Sequence, residues 1–480
     1  MNDTPNATTP EKSGFIELLF KPTDIASLVA FRVIFGGCML FENVRYALKG
    51  EIQKTFIAPE FHFSFPGFGW VTEMSEPMIW IFAVLMCISS LTVMIGAFYR
   101  ISATILFITF TYFFLLEATA YRNHFYLLSI LSLVMIFLPA HRAWSVDAKR
   151  RPECAATHVP LWIVWFLRAQ LGFVYFFAGV AKMNPDWING SSMLAIFHNS
   201  GRPANEIEFL SQGWVTALFS YSGLLFDLGI TFLLLWPRTR LIAFFSAAGF
   251  HVTNGIYLVA VGIFPWFMLM ASTIYFDPNW PRKLWNRYDK SEPAVLPERL
   301  HKNSSGIETK PRPVVLTVLA VYFAIQIFLP IRQYFLPVNT SWTHEGHRWA
   351  WRMKLVSKRV TDVKIWTFDP DSGNRIDLSL NFTGNLPENL ARLGPGNSII
   401  HAWQALRAAG QPDLFIQFIE DLDATLLEKT GIDYPIYADV RVEMNGRPAQ
   451  PLIDPTVDLS EVEWTFGPAP WILPLQKTQY

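Results

Sequence analysis

Residues 160–181, PLWIVWFLRAQLGFVYFFAGVA, decide the fold because they form an apolar run long enough to cross a lipid bilayer. A transmembrane helix needs about 20 mainly apolar residues. In all, nine such runs predict a polytopic membrane protein, at about 25–47, 78–98, 101–120, 124–140, 160–181, 215–236, 240–257, 259–276 and 313–333. The first of these nine runs is the weakest, since it contains Arg32, Glu42 and Arg45. The seventh and eighth runs form either two segments or one broken segment.

The composition agrees with a membrane protein. Of the 480 residues, 51% are hydrophobic and 16% are charged, whereas about 25% charged residues is usual for soluble proteins. The 39 basic and 39 acidic side chains cancel, which excludes a nucleic-acid-binding protein held by bulk positive charge. The 41 Phe and 18 Trp residues exclude a disordered chain.

Basic residues concentrate in the loops that follow the fourth, sixth and eighth runs. Short loops rich in Lys and Arg stay in the cytoplasm. This pattern predicts a cytoplasmic N-terminus, and nine crossings then place the C-terminal tail outside the cytoplasm. We therefore expect a cytoplasmic segment (1–24), a transmembrane catalytic domain (25–333) and an exported domain (334–480).

The tail has the pattern of an α+β domain. Asn445-Gly446 is typical of a tight turn between strands. The three cysteines, Cys38, Cys87 and Cys154, precede the tail, so we expect neither a disulfide nor a cysteine-based zinc site within it. The predicted fold is mainly α, a membrane bundle of about nine transmembrane helices followed by an exported α+β domain. Strand patterns occur at 363–368, 375–380 and 437–442, and helical patterns at 399–409 and 414–429.

Three polar clusters lie at membrane depth, where polar groups are costly and mark candidate functional sites. They are residues 121–124, 178–187 and 251–254. The predicted topology places all three on the outer side, so that one outward-opening pocket can hold them. Lys182 either serves that pocket or extends its amine into water, and His124 either serves it or caps a helix end.

For two further groups of residues, a structural role is the alternative to a role in the pocket or in ligand binding. His251 and Asn254 lie one helical turn apart and either line the pocket or bond neighbouring helices. The tail aromatics either contact a ligand or form the core of the exported domain; they are Trp342, Trp349 and Trp351.

Residues 175–187, YFFAGVAKMNPDW, resemble the signature of the vitamin K-dependent γ-glutamyl carboxylases. The resemblance runs in order from the first membrane run almost to the C-terminus, which is more specific than any one motif. It indicates a bacterial-type homologue with a horizontally transferred transmembrane domain. The other matching stretches are RNHFYL (122–127), WSVD (144–147), FHVTN (250–254), GIFP (262–265), NWPRK (279–283), FLP (328–330), WT (342–343) and IDP (453–455).

The resemblance implies an integral membrane enzyme that oxygenates reduced vitamin K to its epoxide and thereby carboxylates glutamate side chains. A glutamate γ-C–H is too weak an acid for any side-chain base, so a stronger base must form in a site sheltered from water. The implied cofactor is a reduced vitamin K, either phylloquinol or menaquinol, with O2 and CO2 as co-substrates and no metal. The implied partners are a glutamate-containing peptide or protein and the lipid bilayer, without nucleic acid. The implied location is the bacterial inner membrane, with a periplasmic C-terminal domain.

Motif positions assign roles to individual residues. Lys182 is implied to take the quinol proton as a neutral amine, which desolvation by neighbouring aromatic side chains favours. His124 is implied to assist the oxygenation by hydrogen bonding. The implied cofactor-binding residues are Tyr121, Asn123, His251 and Asn254. The implied acceptor-binding residues are Trp342, His347 and Trp351.

The chain departs from the animal enzymes at three motif positions. Ala181 replaces the first of two adjacent lysines, His347 replaces a tyrosine, and Val356 replaces a histidine. The last two lie in the stretch that aligns with glutamate binding. Two alternatives therefore stay open: a quinol-oxidising homologue that acts on another acceptor, and a non-enzymatic quinone-binding or transport protein.

Overall fold

The computed structural model describes residues 14–59, 61–257, 262–288, 311–378, 402–465 and 467–476. The chain folds into a membrane helical bundle followed by an α+β domain, as predicted. Within the described residues, a helix occupies each predicted run, although residues 259–261 of the eighth run lie outside them. We number these helices α1 (Ala26–Leu48), α2 (Glu76–Ile95), α3 (Tyr99–Leu116), α4 (Asn123–Phe137), α5 (Leu161–Lys182), α6 (Gly213–Leu235), α7 (Arg240–Tyr257), α8 (Phe264–Ala271) and α9 (Pro313–Ile331).

Six helices in the described part of the chain are long and apolar enough to cross a membrane, namely α1, α2, α3, α5, α6 and α9. Helix α4 is a shorter apolar helix, α8 has 8 residues, and α7 is less apolar than the six. The prediction of a membrane bundle is therefore confirmed, while three of the predicted runs form helices below this criterion. Short helices connect the bundle at Phe15–Phe20, Val146–Arg150, Pro185–Ile188, Ser191–His198, Ala204–Leu210, Trp280–Tyr288 and Thr340–Thr343.

Helices α5 and α6 pack closely because glycine faces the contact. A Cβ atom at Gly179 would lie 2.8 Å from the backbone nitrogen of Leu228, and one at Gly172 would lie 2.8 Å from the Thr231 side chain. Small residues allow this close approach between membrane helices. The Gly179 contact places the end of α5 against the middle of α6, where the candidate site lies.

The charged side chains of the first run are compensated inside the bundle. The fully buried Arg32 guanidinium donates to the carbonyl oxygens of Ala140 (2.6 Å) and Trp144 (2.7 Å). The Glu42 carboxylate accepts two hydrogen bonds from the Arg45 guanidinium, from Nη2 to Oε1 at 2.5 Å and from Nε to Oε2 at 2.8 Å. These contacts explain why a run with three charges still forms a membrane helix, since buried charges need partners.

Near the N-terminus, β1 (Pro22–Asp24) pairs antiparallel with β2 (His158–Pro160).

The C-terminal domain contains one antiparallel sheet and two helices. The strands are β3 (Lys358–Phe368), β4 (Arg375–Asp377), β5 (Tyr437–Met444) and β6 (Gln450–Pro451), and the helices are α10 (Ala402–Ala409) and α11 (Pro412–Thr430). The strand order is β4-β3-β5-β6. Asn445 and Gly446 have φ angles of 52° and 78°, so they form the predicted tight turn after β5. Residues 379–380 and 399–401 of the predicted elements lie outside the described residues.

We predict that Arg32→Lys destabilises the bundle. Lysine cannot reproduce the planar guanidinium contacts to several carbonyl oxygens, and each buried acceptor left without a donor costs about 1–3 kcal/mol. The melting temperature in detergent should fall by several degrees. Arg238→Lys is the matched control, because Arg238 is exposed and its replacement should leave the melting temperature unchanged. Equal melting temperatures for both variants would contradict the role given to Arg32.

Candidate functional site

A cavity of about 900 Å³ lies between α4, α5, α6 and α7 and a C-terminal stretch that we call the roof, residues 344–356. Side chains from all three polar clusters of the sequence line it. The structure thus brings together three clusters that are spread over residues 121–254 of the chain. The sequence-predicted residues on its wall are Tyr121, Asn123, His124, Lys182, His251, Asn254 and His347.

Lys182 and Asp227 form an ion pair inside the cavity wall. The Lys182 Nζ donates to Asp227 Oδ2 at 2.5 Å, and both side chains are buried. The ammonium nitrogen also lies 5.2 Å from the centre of the Trp187 ring, whose indole N–H donates to the Ser220 carbonyl oxygen. Lys182 therefore contacts a charged partner, Asp227, as well as the aromatic ring of Trp187. The sequence predicted only the aromatic surroundings.

Sequence reasoning missed Asp227. The residue is the acidic side chain in the otherwise apolar run 215–236. An ionisable residue in such a run is a candidate functional group on its own. The signal that identifies Lys182, a polar group at membrane depth, applies equally to this carboxylate.

His124 lies at the start of α4 with an unused hydrogen-bonding atom. Its Nε2 is buried and has no hydrogen-bond partner among the described residues. The ring packs edge-on to Phe125 (centroids 4.6 Å apart) and against Phe264 (5.9 Å). Gly262, with φ of 56°, leaves room beside the ring, since a Cβ there would lie 3.8 Å from Nε2. A buried polar atom without a partner is suited to contact a bound molecule.

His251 lines the cavity and also bonds a neighbouring helix. Its Nε2 lies 2.8 Å from the Tyr175 hydroxyl oxygen, and both side chains are buried. This contact ties α7 to α5 about two helical turns before Lys182. Asn254 lines the cavity one turn further along α7. His251 therefore does both things that the sequence analysis gave as alternatives: it lines the cavity and it bonds a neighbouring helix.

Tyr121 and Asn123 attach the roof to the membrane helices. The Trp349 backbone N–H donates to the Tyr121 hydroxyl at 2.9 Å, and this hydroxyl donates to Asn123 Oδ1 at 3.0 Å. The Asn123 amide donates to the Arg352 carbonyl oxygen at 2.8 Å. Both residues reach the cavity wall, while their polar atoms hold the backbone of the C-terminal domain.

The roof has an unusual backbone. Four of its non-glycine residues have positive φ angles, namely His344, Trp349, Trp351 and Lys354. Each costs roughly 1–2 kcal/mol relative to ordinary backbone, so surrounding contacts must hold the segment in place. His347 faces the cavity from this segment. Burial, and then the charge of Arg352, hold the pKa of His347 well below its ordinary value, so that the ring is neutral at neutral pH.

Trp342 and Trp351 do not line the cavity. Both are fully buried, and the Trp342 indole N–H donates to the Leu473 carbonyl oxygen at 2.7 Å. The Trp351 ring packs against Tyr126 with centroids 4.8 Å apart. Packing inside the protein leaves neither ring a free face in this cavity, and their role in acceptor binding stays a prediction. Of the three predicted acceptor-binding residues, His347 is on the wall.

The cavity wall is suited to a planar apolar molecule with polar oxygens. Its lining divides by chemistry into the apolar side chains of Met193, Leu218, Phe219, Phe226, Phe250 and Phe264 and polar groups that include Lys182 and the His124 Nε2, which has no partner among the described residues. A reduced quinone has this division, with an apolar ring system and two hydroxyl groups. Within the described residues, no group of three or more His, Cys, Asp or Glu side chains is arranged to hold a metal ion.

We predict that Lys182 and Asp227 depend on each other for stability. Asp227→Leu should lower the free energy of unfolding by about 3–5 kcal/mol, because it leaves a buried ammonium without a counter-charge. The double variant Lys182→Met/Asp227→Leu should recover most of this loss in thermal unfolding. Glu443→Gln breaks the exposed Arg359–Glu443 pair and serves as control, with an expected loss below about 1 kcal/mol. Additive losses in the double variant would show that the two charges are not coupled.

Comparison with known protein families covers nearly the whole chain. Residues 20–280, more than half of the sequence, match the HTTM domain, and residues 311–478 match the vitamin K-dependent gamma-carboxylase, lumenal domain. No solved structure matches the chain significantly. The two matches follow each other in the order of the membrane bundle and the α+β domain, and the cavity lies where the two matched regions meet. They confirm the resemblance found in the sequence: the chain belongs to the vitamin K-dependent gamma-carboxylase family.

Proposed function

We propose that this protein is a quinol-dependent γ-glutamyl carboxylase, which couples epoxidation of a reduced vitamin K by O2 to addition of CO2 at glutamate. The observation that carries the proposal is a single cavity containing a buried lysine with a carboxylate partner and an unpartnered histidine nitrogen. Family membership supports the same reaction. We further propose a bacterial homologue, because the chain departs from the animal enzymes at Ala181, His347 and Val356.

In this proposal the base is the Lys182–Asp227 pair, not the lysine alone. An ammonium at Nζ holds no lone pair and cannot accept a proton. Transfer of one proton from Nζ to Asp227 Oδ2, across 2.5 Å, converts the ion pair into a neutral amine and a neutral acid. Burial favours such a neutral pair relative to two charges. The amine would then be able to accept a proton from a hydroxyl group of a bound quinol, and Asp227 would hold the resulting ammonium.

The remaining cavity residues orient the reactants and exclude water. We assign His124 Nε2 to a quinol oxygen, since this nitrogen is buried and unpartnered. The stacked rings of Phe226 and Phe250, with centroids 3.8 Å apart, would hold the apolar ring system. When bound, the reduced quinone supplies, with O2, the strong base that removes the glutamate γ-proton. Exclusion of water protects that base and the glutamate carbanion, to which CO2 adds.

An assay with two products tests the function. Detergent-solubilised protein is incubated with reduced vitamin K, labelled bicarbonate and a glutamate-containing peptide, and epoxide and fixed label are scored separately. We expect both products in wild-type protein. Epoxide without label would favour the homologue that acts on another acceptor. The absence of both products would favour the non-enzymatic alternative.

We predict that Lys182→Ala abolishes epoxide and fixed label together, because carboxylation depends on the oxygenated quinol. Lys182→Arg should not restore either product, since guanidinium does not release its proton near neutral pH. Asp227→Asn should lower epoxide formation at least 100-fold while Asp227→Glu recovers part of it. Lys49→Ala, at an exposed lysine outside the cavity, is the control. Appreciable turnover by Lys182→Arg would remove Lys182 as the base.

We also propose that the N-terminus is cytoplasmic and that the domain 334–480 faces the periplasm. The segregation of basic loops supports this orientation, as does the match of residues 311–478 to a lumenal domain. Protease added outside spheroplasts should then cut the C-terminal domain and spare the loop 283–312. Cleavage of that loop with protection of the C-terminal domain would reverse the orientation. Permeabilised cells, in which both regions are accessible, provide the control.

A further inference from the structure

The turn that follows Lys182 is held together by its own hydrogen bonds. The Asn184 amide donates to the Ala181 carbonyl oxygen at 2.9 Å, and Asn184 Oδ1 accepts from the Trp187 backbone N–H at 3.0 Å. Trp187 lies on the short helix Pro185–Ile188, and its ring centre is 5.2 Å from the Lys182 Nζ. Both side chains line the cavity. The position of the lysine amine therefore depends on where this short helix is fixed.

The C-terminal domain holds the short helix through Asp186. Arg447 donates from Nη1 to Asp186 Oδ2 at 2.7 Å and from Nη2 to Asp186 Oδ1 at 2.6 Å. The Asn445 amide donates to the same Oδ2 at 2.8 Å. Paired bonds between a guanidinium and a carboxylate fix the orientation of the two groups as well as their distance. Burial alone would raise the pKa of Asp186, but the bonds from Arg447 and Asn445 hold it below its ordinary value, so the carboxylate is charged at neutral pH.

The tight turn that leads to Arg447 is also fixed on its own side. The Asn445 backbone N–H donates to the Ser357 carbonyl oxygen at 2.9 Å, and Asn445 Oδ1 accepts from the Ser357 backbone N–H at 3.0 Å. The Asn445 amide also donates to the Ser192 hydroxyl at 3.1 Å. The Arg447 and Asp186 side chains are only 14% and 15% exposed. The pair is therefore unlike a flexible surface ion pair, which contributes little to stability.

We propose that Arg447 is a positioning residue for the base, Lys182. Its pair with Asp186 fixes the short helix on which Trp187 contacts the lysine amine. The proposal rests on the function proposed above, since it concerns the same lysine. Asp186 and Arg447 are not among the described residues that line the cavity, so they act on the site without touching a bound quinol. The other anchor of Trp187 is α6, where its indole N–H donates to the Ser220 carbonyl oxygen at 2.8 Å.

A restraint just beyond Lys182 matters because this residue is the last one of α5. Helix ends fray, so the amine of a terminal residue is held less firmly than one in the middle of a helix. Its Nζ must stay 2.5 Å from Asp227 Oδ2 for the proton transfer proposed above. Misplacement of a reacting group by about 1 Å can lower a rate about 100-fold. The Asp186–Arg447 pair supplies the restraint from outside the helix.

The two products of the assay test the proposal. Arg447→Gln should lower the kcat for epoxide about tenfold and change the quinol KM less than twofold, because the base is displaced while the quinol contacts remain. Fixed label should fall by the same factor, since the base acts before either product forms. Arg447→Lys keeps the charge without the paired donors and should recover part of the kcat. Arg441→Gln is the matched control with wild-type kcat, because Arg441 is exposed on β5, the strand before the turn, and pairs with Asp439.

A double-mutant cycle tests the path through Asp186. Asp186→Asn should lower the kcat for epoxide to a similar extent. Adding Arg447→Gln to it should cause less than a twofold further loss, because the two residues act as one unit. Losses that multiply in the double variant, or a wild-type kcat in Arg447→Gln, would overturn the proposal. A loss of fixed label with unchanged epoxide would place the effect at the acceptor and would overturn it as well.

A spectroscopic measurement follows Trp187 directly and needs no turnover. Protein labelled with fluorotryptophan gives a fluorine NMR resonance for Trp187, which Trp187→Phe identifies by its absence. Arg447→Gln should shift or broaden this resonance, whereas Arg441→Gln should leave it unchanged. If wild-type protein forms neither product, the proposed function fails, and a Trp187 resonance that moves in Arg447→Gln still supports the positioning contact. An unchanged resonance in Arg447→Gln would overturn the positioning role.

Discussion

Lys182 and Asp227 carry opposite charges 2.5 Å apart inside the membrane bundle, and the arrangement around the cavity follows from keeping them together. Neither charge is stable there alone, so helices α5 and α6 must meet at one register. Gly179 permits that register, because any larger residue would meet the backbone at Leu228. The same contact directs the lysine amine towards the cavity. The ion pair thus links helix packing to the chemistry proposed for the site.

Much of the fold could be predicted because hydrophobicity and turn chemistry are local signals. The nine apolar runs, the strand around Val363 and the turn at Asn445-Gly446 each depend on neighbouring residues. The pairing of Lys182 with Asp227 could not, because an apolar run carries the same signal whichever helix packs against it. The burial of Trp342 and Trp351 could not be predicted from the sequence for a related reason. Aromatic residues serve equally in a binding surface and in a core, and only the tertiary structure separates the two.

The candidate site could likewise be predicted only in part from the sequence. The resemblance identified His124 and Lys182, and both residues line the cavity. The role of Tyr121 and Asn123 in holding the roof depends on backbone atoms more than 200 residues away. Such contacts arise from docking of the two parts of the chain, for which a single sequence contains no local pattern.

The roof has a consequence for how the two matched regions can be combined. Side chains of the preceding bundle hold it: Tyr121 bonds the backbone of the left-handed residue Trp349, and Asn123 bonds the backbone of Arg352, which lies between the left-handed residues Trp351 and Lys354. A chain divided between residues 280 and 311 would separate the two matches and leave this strained segment without its supports. The bundle would in turn lose one wall of its cavity. A gene fusion that exchanges the C-terminal domain between homologues therefore needs to transfer the residues at 121 and 123, which bond the roof, together with that domain. The interface between the two parts of the chain, and not either part alone, is then the unit that is inherited.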